Sequence, residues 1–226
     1  MPDTKELFNN VAKHYDKLNT IFSFGLHKIW RKKLAGKLTD ESNVLDIATG
    51  TADVALEIAA MHPNSKITGL DPSSKMLDIG KTKVNKNNLS SRIKLISGVA
   101  EKIPFEEEIF DYATISFGIR NTVDYKKSLK EILRVLKKDG KLLVLEFAAP
   151  TNVVFRPVYL FYFKNIMPLV GKIVGRQKEY KYLAESTLSF PQRNEFLESM
   201  RECGFKECKF QELTLGTVIL YSGRKS

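Results

Sequence analysis

From residue 43 onward, short apolar runs alternate with stretches whose apolar positions recur at helical spacing. Val44-Leu45-Asp46-Ile47 predicts a first strand, and Val54, Ala55, Ile58 and Ala59 mark one face of the helix after it. Lys66-Ile67-Thr68-Gly69-Leu70 predicts a second strand ending at Asp71; Ser73 or Ser74 can cap a helix carrying Met76, Leu77 and Ile79. Ile93-Lys94-Leu95-Ile96 and Phe110–Ser116 read as strands three and four. A helix with Leu129, Ile132, Leu133 and Leu136 on one face follows, with Lys138-Asp139-Gly140 as its expected stop. The fifth strand, Leu142-Leu143-Val144-Leu145, is apolar throughout, as a strand covered on both faces should be. Such alternation implies right-handed βαβ crossovers and a mainly parallel sheet.

The two ends of the chain depart from that rhythm. Residues 4–38 read as helical and partly amphipathic, with Phe8, Val11, Ala12, Tyr15 and Leu18 at helical spacing. Residues 150–190 are apolar, aromatic and basic, and are expected to be helical. A helix from Gln192 to Glu202 and two strands, Glu207–Glu212 and Thr217–Tyr221, close the chain, spaced to allow an antiparallel pair. The expected fold is α/β and Rossmann-like, with seven strands, mainly parallel, and an antiparallel C-terminal hairpin. One domain is expected over 1–226, with an N-terminal helical arm at 1–40 and a helical substrate or lid insertion at 150–190; 226 residues suit one such domain with additions.

Composition narrows this only slightly. With 43% hydrophobic and 27% charged residues the chain is an ordinary globular one. The 36 basic and 26 acidic residues leave +10, which suits nucleic acid, anionic lipid or an anionic small molecule alike. Cys203 and Cys208 have no partner at zinc-ligand spacing, so no metal is expected and both read as free thiols of a reducing compartment. The start, Met1-Pro2-Asp3-Thr4-Lys5-Glu6, lacks the apolar core of a secretory signal. Val153–Val174 is cut by Arg156, Lys164 and Lys172 into uncharged runs of at most seven residues. A span needs about 20. A cytoplasmic protein is expected.

The informative segment is Val44-Leu45-Asp46-Ile47-Ala48-Thr49-Gly50-Thr51-Ala52-Asp53. A glycine between first strand and first helix lets backbone approach a ligand at the carboxyl edge of the sheet, and Asp71, 25 residues after Asp46, can accept both hydroxyls of a ribose. A dinucleotide site would want three glycines; here only Gly50 is present, with alanines at 52 and 55. Asp46 and Asp53 would also repel a pyrophosphate. S-adenosylmethionine has no phosphate and carries an ammonium and a sulfonium, which acidic neighbours favour. It is therefore the expected cofactor, held by Asp46, Gly50, Thr51 and Asp71. Met76 would pack an adenine face, with Ser116 and the backbone of Val99 and Ala100 completing the set. Asp46 and Asp53 as caps or solvated charges, and Met76 as ordinary core, are the plainer alternatives.

Several segments resemble the menaquinone and ubiquinone biosynthesis C-methyltransferase family. Tyr15-Asp16-Lys17-Leu18-Asn19 with Ser23, His27 and Trp30-Arg31 is similar to its first signature, and Thr114-Ile115-Ser116-Phe117-Gly118-Ile119-Arg120-Asn121 to its active-site loop. Arg134-Val135-Leu136-Lys137-Lys138-Asp139-Gly140 through Leu145-Glu146-Phe147 resembles the second signature. Tyr180-Lys181-Tyr182-Leu183-Ala184-Glu185-Ser186 and Phe190-Pro191 complete the likeness. Lys138 and Asp139 stand where Pro-Gly is usual, and Ala148 where serine is. Ala52 replaces a second glycine and Val99 a polar contact to adenine; these two are expected to weaken cofactor affinity.

The resemblance implies methylation of a ring carbon on a prenylated quinol by a class I S-adenosylmethionine-dependent methyltransferase. Demethylmenaquinol is the preferred acceptor, with a ubiquinone-pathway benzoquinol or another small molecule or lipid as alternatives. An RNA-binding methyltransferase-like module is a reading from another class, ranked below these, and no nucleic-acid partner is expected. A neutral aromatic carbon attacks poorly until a neighbouring hydroxyl, with a pKa of about 10, is ionised. Arg120 and Asn121 suit the oxyanion, and Asp53, His14 or a water held by one of them is the expected base. A surface salt bridge is the alternative for Arg120. His27 and Trp30 are expected to pack the arm, and His62 to sit in a turn. Residues 152–183 hold six cations, Arg156, Lys164, Lys172, Arg176, Lys178 and Lys181, against Glu179, interleaved with Phe155, Tyr159, Phe161, Tyr162 and Phe163. That mixture fits peripheral contact with an anionic membrane surface, a lid, or both. A homodimer stays open.

Overall fold

The computed structural model of the chain describes residues 20, 23–166, 169 and 177–226. Five strands, β1 (Asn43–Ile47), β2 (Lys66–Asp71), β3 (Ile93–Ser97), β4 (Phe110–Ser116) and β5 (Leu136–Phe147), run parallel. β6 (Lys206–Leu213) and β7 (Val218–Arg224) form the closing hairpin, and β7 lies antiparallel between β5 and β6. The order β3-β2-β1-β4-β5-β7-β6 is the seven-stranded sheet that the alternation predicts. From β1 the chain winds outward to β3, then crosses back to β4 beside β1. That reversal opens a crevice at the carboxyl ends of β1 and β4.

Period-2 side-chain alternation explains why the central strands are apolar throughout. Leu142 and Val144 enter one core with Leu45, Ile47, Ile132 and Phe196. Leu143 and Leu145 enter the opposite core with Leu34, Val44, Ile58 and Leu220. The first core is covered by α4 (Tyr125–Val135) and α7 (Asn194–Glu202), the second by α1 (Leu26–Ala35) and α2 (Asp53–Met61). Between β2 and β3, α3 (Ser74–Lys86) starts at Ser73, whose hydroxyl accepts the Met76 amide at 3.2 Å.

One boundary differs from expectation. α4 ends at Val135, and Leu136 pairs with Phe110 as the first residue of β5 instead of facing the core from a helix. Lys138-Asp139-Gly140 forms an irregularity at the start of that strand, with Asp139 at φ 66°. A Cβ at Gly140 would lie 2.8 Å from the Lys137 carbonyl, so this glycine serves a close backbone approach and not a helix stop.

The helical reading of 150–190 takes form as α5 (Phe155–Phe161), a π-helical turn (Tyr162–Ile166) and α6 (Gln177–Ser189). Phe163 and Ala184 pack together there, with Tyr159, Tyr162 and Leu183 around them. Most of the arm, including His14, lies outside the described residues. Its last part is α1, where Trp30 packs on Phe117 and Phe147 at ring-centroid distances of 6.0 and 6.2 Å and donates to the Thr214 hydroxyl. His27 pairs with Ser23 through Nδ1 at 2.6 Å, and His62 bonds the Ala35 carbonyl through Nε2. Among the described residues no helix is long and apolar enough to cross a membrane. Cys203 and Cys208 are free thiols.

Candidate active site

The chain leaves β1 through a loop in which Ala48, Gly50 and Ala52 all take left-handed backbone, at φ 52°, 55° and 64°. Each non-glycine residue there costs about 1–2 kcal/mol, so something must hold the loop. Two carboxylates do. Asp46, 1% exposed, accepts the Thr49 hydroxyl at 2.6 Å and that of Thr114, its neighbour across β4, at 2.7 Å. Asp71 accepts the Gly50 amide on one oxygen at 2.9 Å and the Ser73 amide on the other at 2.8 Å. The methyl of Ala48 rests against Gly118, where an added Cβ would approach to 2.5 Å.

Burial pushes the Asp46 carboxyl up to about 6, with the charge of Asp71 adding to the effect and the two hydroxyls opposing it. Burial also raises Asp71, against the pull of its two amides. Both groups are acids kept out of water and satisfied by fixed donors. That is a preorganised negative site.

In front of this loop lies a cavity of about 260 Å³. Gly50, Asp71, Met76, Val99, Ala100 and Ser116 line it, together with Asn121. Met76 is buried on the first turn of α3, while Val99 is 44% exposed and its carbonyl accepts the Lys102 amide at 3.2 Å. The Ser116 hydroxyl is buried and has no hydrogen-bond partner among the described residues. Glu101, which the sequence reading passed over, lines the same cavity and accepts the Val123 amide at 2.6 Å.

Asp46, Thr51 and Asp53 stand behind this wall and do not line it. Thr51 accepts from Lys83 at 2.9 Å. Asp53 pairs with Arg31 of α1 and, at 2.7 Å, with Lys83 of α3. Burial works against its ionisation, but the two cations outweigh it and hold the carboxyl below its ordinary value. A carboxylate so neutralised is a poor base, and Asp53 instead ties the arm to the cofactor loop.

Arg120 lies on a short 3-10 turn, Ile119–Asn121, directly after β4. It is 8% exposed, so the surface-salt-bridge alternative fails. Its Nη1 bonds Oε1 of Glu146, at the end of β5, and the Phe117 carbonyl at 2.9 Å; its guanidinium lies 5.5 Å from the centre of the Phe147 ring. Glu146, 2% exposed, also accepts the Phe147 amide at 2.9 Å. Burial raises its pKa while Arg120 opposes the rise. Asn121 donates to the Phe117 carbonyl and accepts the Tyr182 hydroxyl of α6 at 3.1 Å. Burial raises the phenols of Tyr159 and Tyr182, and the charge of Arg120 acts against it at both. Glu146 and Tyr182 lie inside segments that carry the family resemblance but are not among the residues to which the sequence assigns a role. The available signal for Glu146 was an acid directly after the apolar run Leu142–Leu145.

The sequence pattern of the ubiE/COQ5 methyltransferase family matches residues 2–225. The chain belongs to that family. Among its relatives, the ubiquinone/menaquinone biosynthesis C-methyltransferase UbiE of Geotalea daltonii is 43% identical over 98% of this chain and 95% of its own length. The demethylmenaquinone methyltransferase of a Geobacillus species is 40% identical over 97% of this chain and 95% of its own. Among solved structures, an S-adenosylmethionine-dependent methyltransferase of Thermotoga maritima shares the fold at TM-score 0.66 and 21% identity, covering 98% of this chain and 99% of its own. The family's shared pattern thus extends across both the cofactor loop and the Arg-Asn turn.

Proposed function

We propose that this family member transfers a methyl group from S-adenosylmethionine to a ring carbon of a prenylated quinol in respiratory quinone biosynthesis, with demethylmenaquinol as the preferred acceptor. The observation that carries this reading is the pairing of a cavity lined by the carboxylates of Asp71 and Glu101 with a buried arginine one turn from its wall. Bound there, the cofactor supplies an electrophilic methyl on a positive sulfur. Each Asp71 oxygen already accepts one amide and keeps a lone pair free for a ribose hydroxyl. Met76 and the Val99–Ala100 backbone suit adenine, and the unpartnered Ser116 hydroxyl suits a polar atom of the ligand. Asp46 acts through its field, favouring positive charge in a site of low dielectric.

Arg120 and Asn121 then stand where negative charge develops on the acceptor oxygen. Residues 150–190 serve as the lid, Tyr182 joining it to Asn121. We read this protein as cytoplasmic and peripheral at the inner membrane face. Val153, Val154, Val158 and Phe161 are exposed on or beside α5, with exposed Arg156, Lys178 and Lys181 in the same segment. Incubation with S-adenosylmethionine and reduced demethylated quinones, read by mass analysis, tests the activity. A methylated naphthoquinol is expected; methylation of neither quinol class would overturn the reading.

A further inference from the structure

We infer that Glu146 receives the proton of the acceptor hydroxyl, and that Arg120 Nε and Glu146 Oε2 form the donor and acceptor between which that hydroxyl sits. The inference rests on the quinol reading above and gives it the base it lacks.

Among the described residues, the buried side-chain polar atoms without a hydrogen-bond partner are Ser116 Oγ, Arg120 Nε, Glu146 Oε2 and Thr187 Oγ1. Two of these belong to one ion pair. Buried charged groups left half-satisfied are costly, so their unmet valences need a cause. One unmet atom is a donor, the other an acceptor. Nη1 and Oε1 are taken up by each other, by the Phe117 carbonyl and by the Phe147 amide, which leaves Nε and Oε2 as the unmet atoms of the pair. A neutral hydroxyl matches both in kind, able to donate to Oε2 and accept from Nε. A carboxylate would be repelled by Glu146 and an ammonium by Arg120.

The surroundings suit an aromatic alcohol. Phe117 and Phe147 lie beside the pair, their ring centroids 4.4 Å apart and the rings tilted by 33°. Asn121, next to Arg120 in the chain, lines the cofactor cavity and is held by Tyr182. No solvent reaches Oε2, and a carboxylate in so dry a place is a stronger base than one in water. Asp53, neutralised by two cations, offers nothing comparable.

The step balances as follows. The hydroxyl proton passes to Glu146 Oε2, and the oxyanion remains against Arg120. The adjacent ring carbon forms its bond to the methyl as the methyl–sulfur bond breaks, the electron pair staying on sulfur as a neutral thioether. The hydrogen on that ring carbon leaves as a proton to water, and Glu146 returns its own proton to the oxygen. One proton is released overall.

The test uses the full chain and the anion of 4-nitro-1-naphthol, which mimics the acceptor after its proton has gone. Binding of this anion to the wild-type protein should take up about one proton per ligand, measured calorimetrically in two buffers of different ionisation heat. Glu146→Gln, which imitates the protonated acid, should bind the anion at least as tightly with no proton uptake. It should lose roughly 10²- to 10⁴-fold in kcat while cofactor affinity stays within threefold. Failure of the wild type to bind the anion or to take up a proton, or turnover of Glu146→Gln within tenfold of wild type, would overturn the assignment. Should that variant not fold, proton uptake by the wild type decides alone. Absence of quinol methylation by the wild type would defeat the functional reading, whereas the uptake measurement still reads the ion pair by itself.

Discussion

The two halves of the site are built from different material. On the cofactor side, backbone does the work: amides of Gly50 and Ser73 hold Asp71, one on each oxygen, and three left-handed residues shape the loop. On the acceptor side, side chains do it, through Arg120, Glu146, Asn121 and Tyr182, and two charged atoms are left unmet. A half closed on its own backbone recognises a constant ligand at a fixed edge of the sheet. A half built of side chains, one of them from α6, is on the proposed reading the one that distinguishes one acceptor from another. The contrast predicts that substitutions on the acceptor side act on turnover and those on the cofactor side on affinity.

Arg120→Ala is the largest break. It strands Glu146 as an uncompensated buried charge, so stability should fall by about 3–5 kcal/mol in denaturant unfolding. Turnover should fall roughly 10²- to 10³-fold, the usual cost of removing an oxyanion partner, while calorimetric cofactor affinity changes only a few-fold. Equal loss of both would mean that Arg120 serves the cofactor half.

Asp46 offers a pH test with opposite signs for folding and binding. Its carboxyl is raised to about 6 from 3.8, so the folded chain binds more protons than the unfolded one between those values. Taken alone, this group favours folding increasingly as pH falls through 6, fully by the unfolded value, by on the order of 3 kcal/mol. Affinity for the cationic cofactor should move the other way, weakening as pH drops through about 6, with protons released on binding there. Asp46→Asn should flatten both profiles. Asp71→Asn should weaken the cofactor roughly 10- to 100-fold, as a charge-assisted contact worth about 1.5–3 kcal/mol is lost, with kcat at saturation nearly unchanged.

The fold could be read from sequence because a parallel sheet writes itself as apolar runs at regular spacing. Gly50, Asp71 and Ser116 were readable for the same reason, since each lies at or just after a strand end, and Met76 follows on the first turn of α3. Asp46 and Asp53 carry identical charge in sequence, and only burial and cations decide that one becomes a field and the other an anchor. Glu146 was hidden by distance. Its partner Arg120 is 26 residues away, and their meeting depends on β4 and β5 being neighbours with Ser116 opposite Leu145.

Tyr182→Phe sharpens the contrast at smaller scale. It removes the hydroxyl that joins α6 to Asn121, a contact worth about 0.5–1.5 kcal/mol. The KM for the quinol should rise roughly three- to tenfold by that energy, with cofactor affinity unaltered. Unchanged KM would separate the helical insertion from the acceptor half.

The smallest effect belongs to Ala52→Gly, and its smallness is the point. Relief of the left-handed backbone at φ 64° is worth about 1–2 kcal/mol. Against it stand about 0.4–1 kcal/mol from a freer unfolded chain and about 0.8 kcal/mol for one buried methyl. These nearly cancel, so the thermal midpoint should move by no more than a few degrees. The Ala52 methyl faces Gly80 of α3, where an added Cβ would lie 3.2 Å away, and does not line the cavity. The weaker cofactor binding expected from this alanine therefore has no contact to act through, and affinity should stay within twofold. A tenfold gain on calorimetry would mean that the loop must open to admit the cofactor, and that the cofactor half is less rigid than its hydrogen bonds imply.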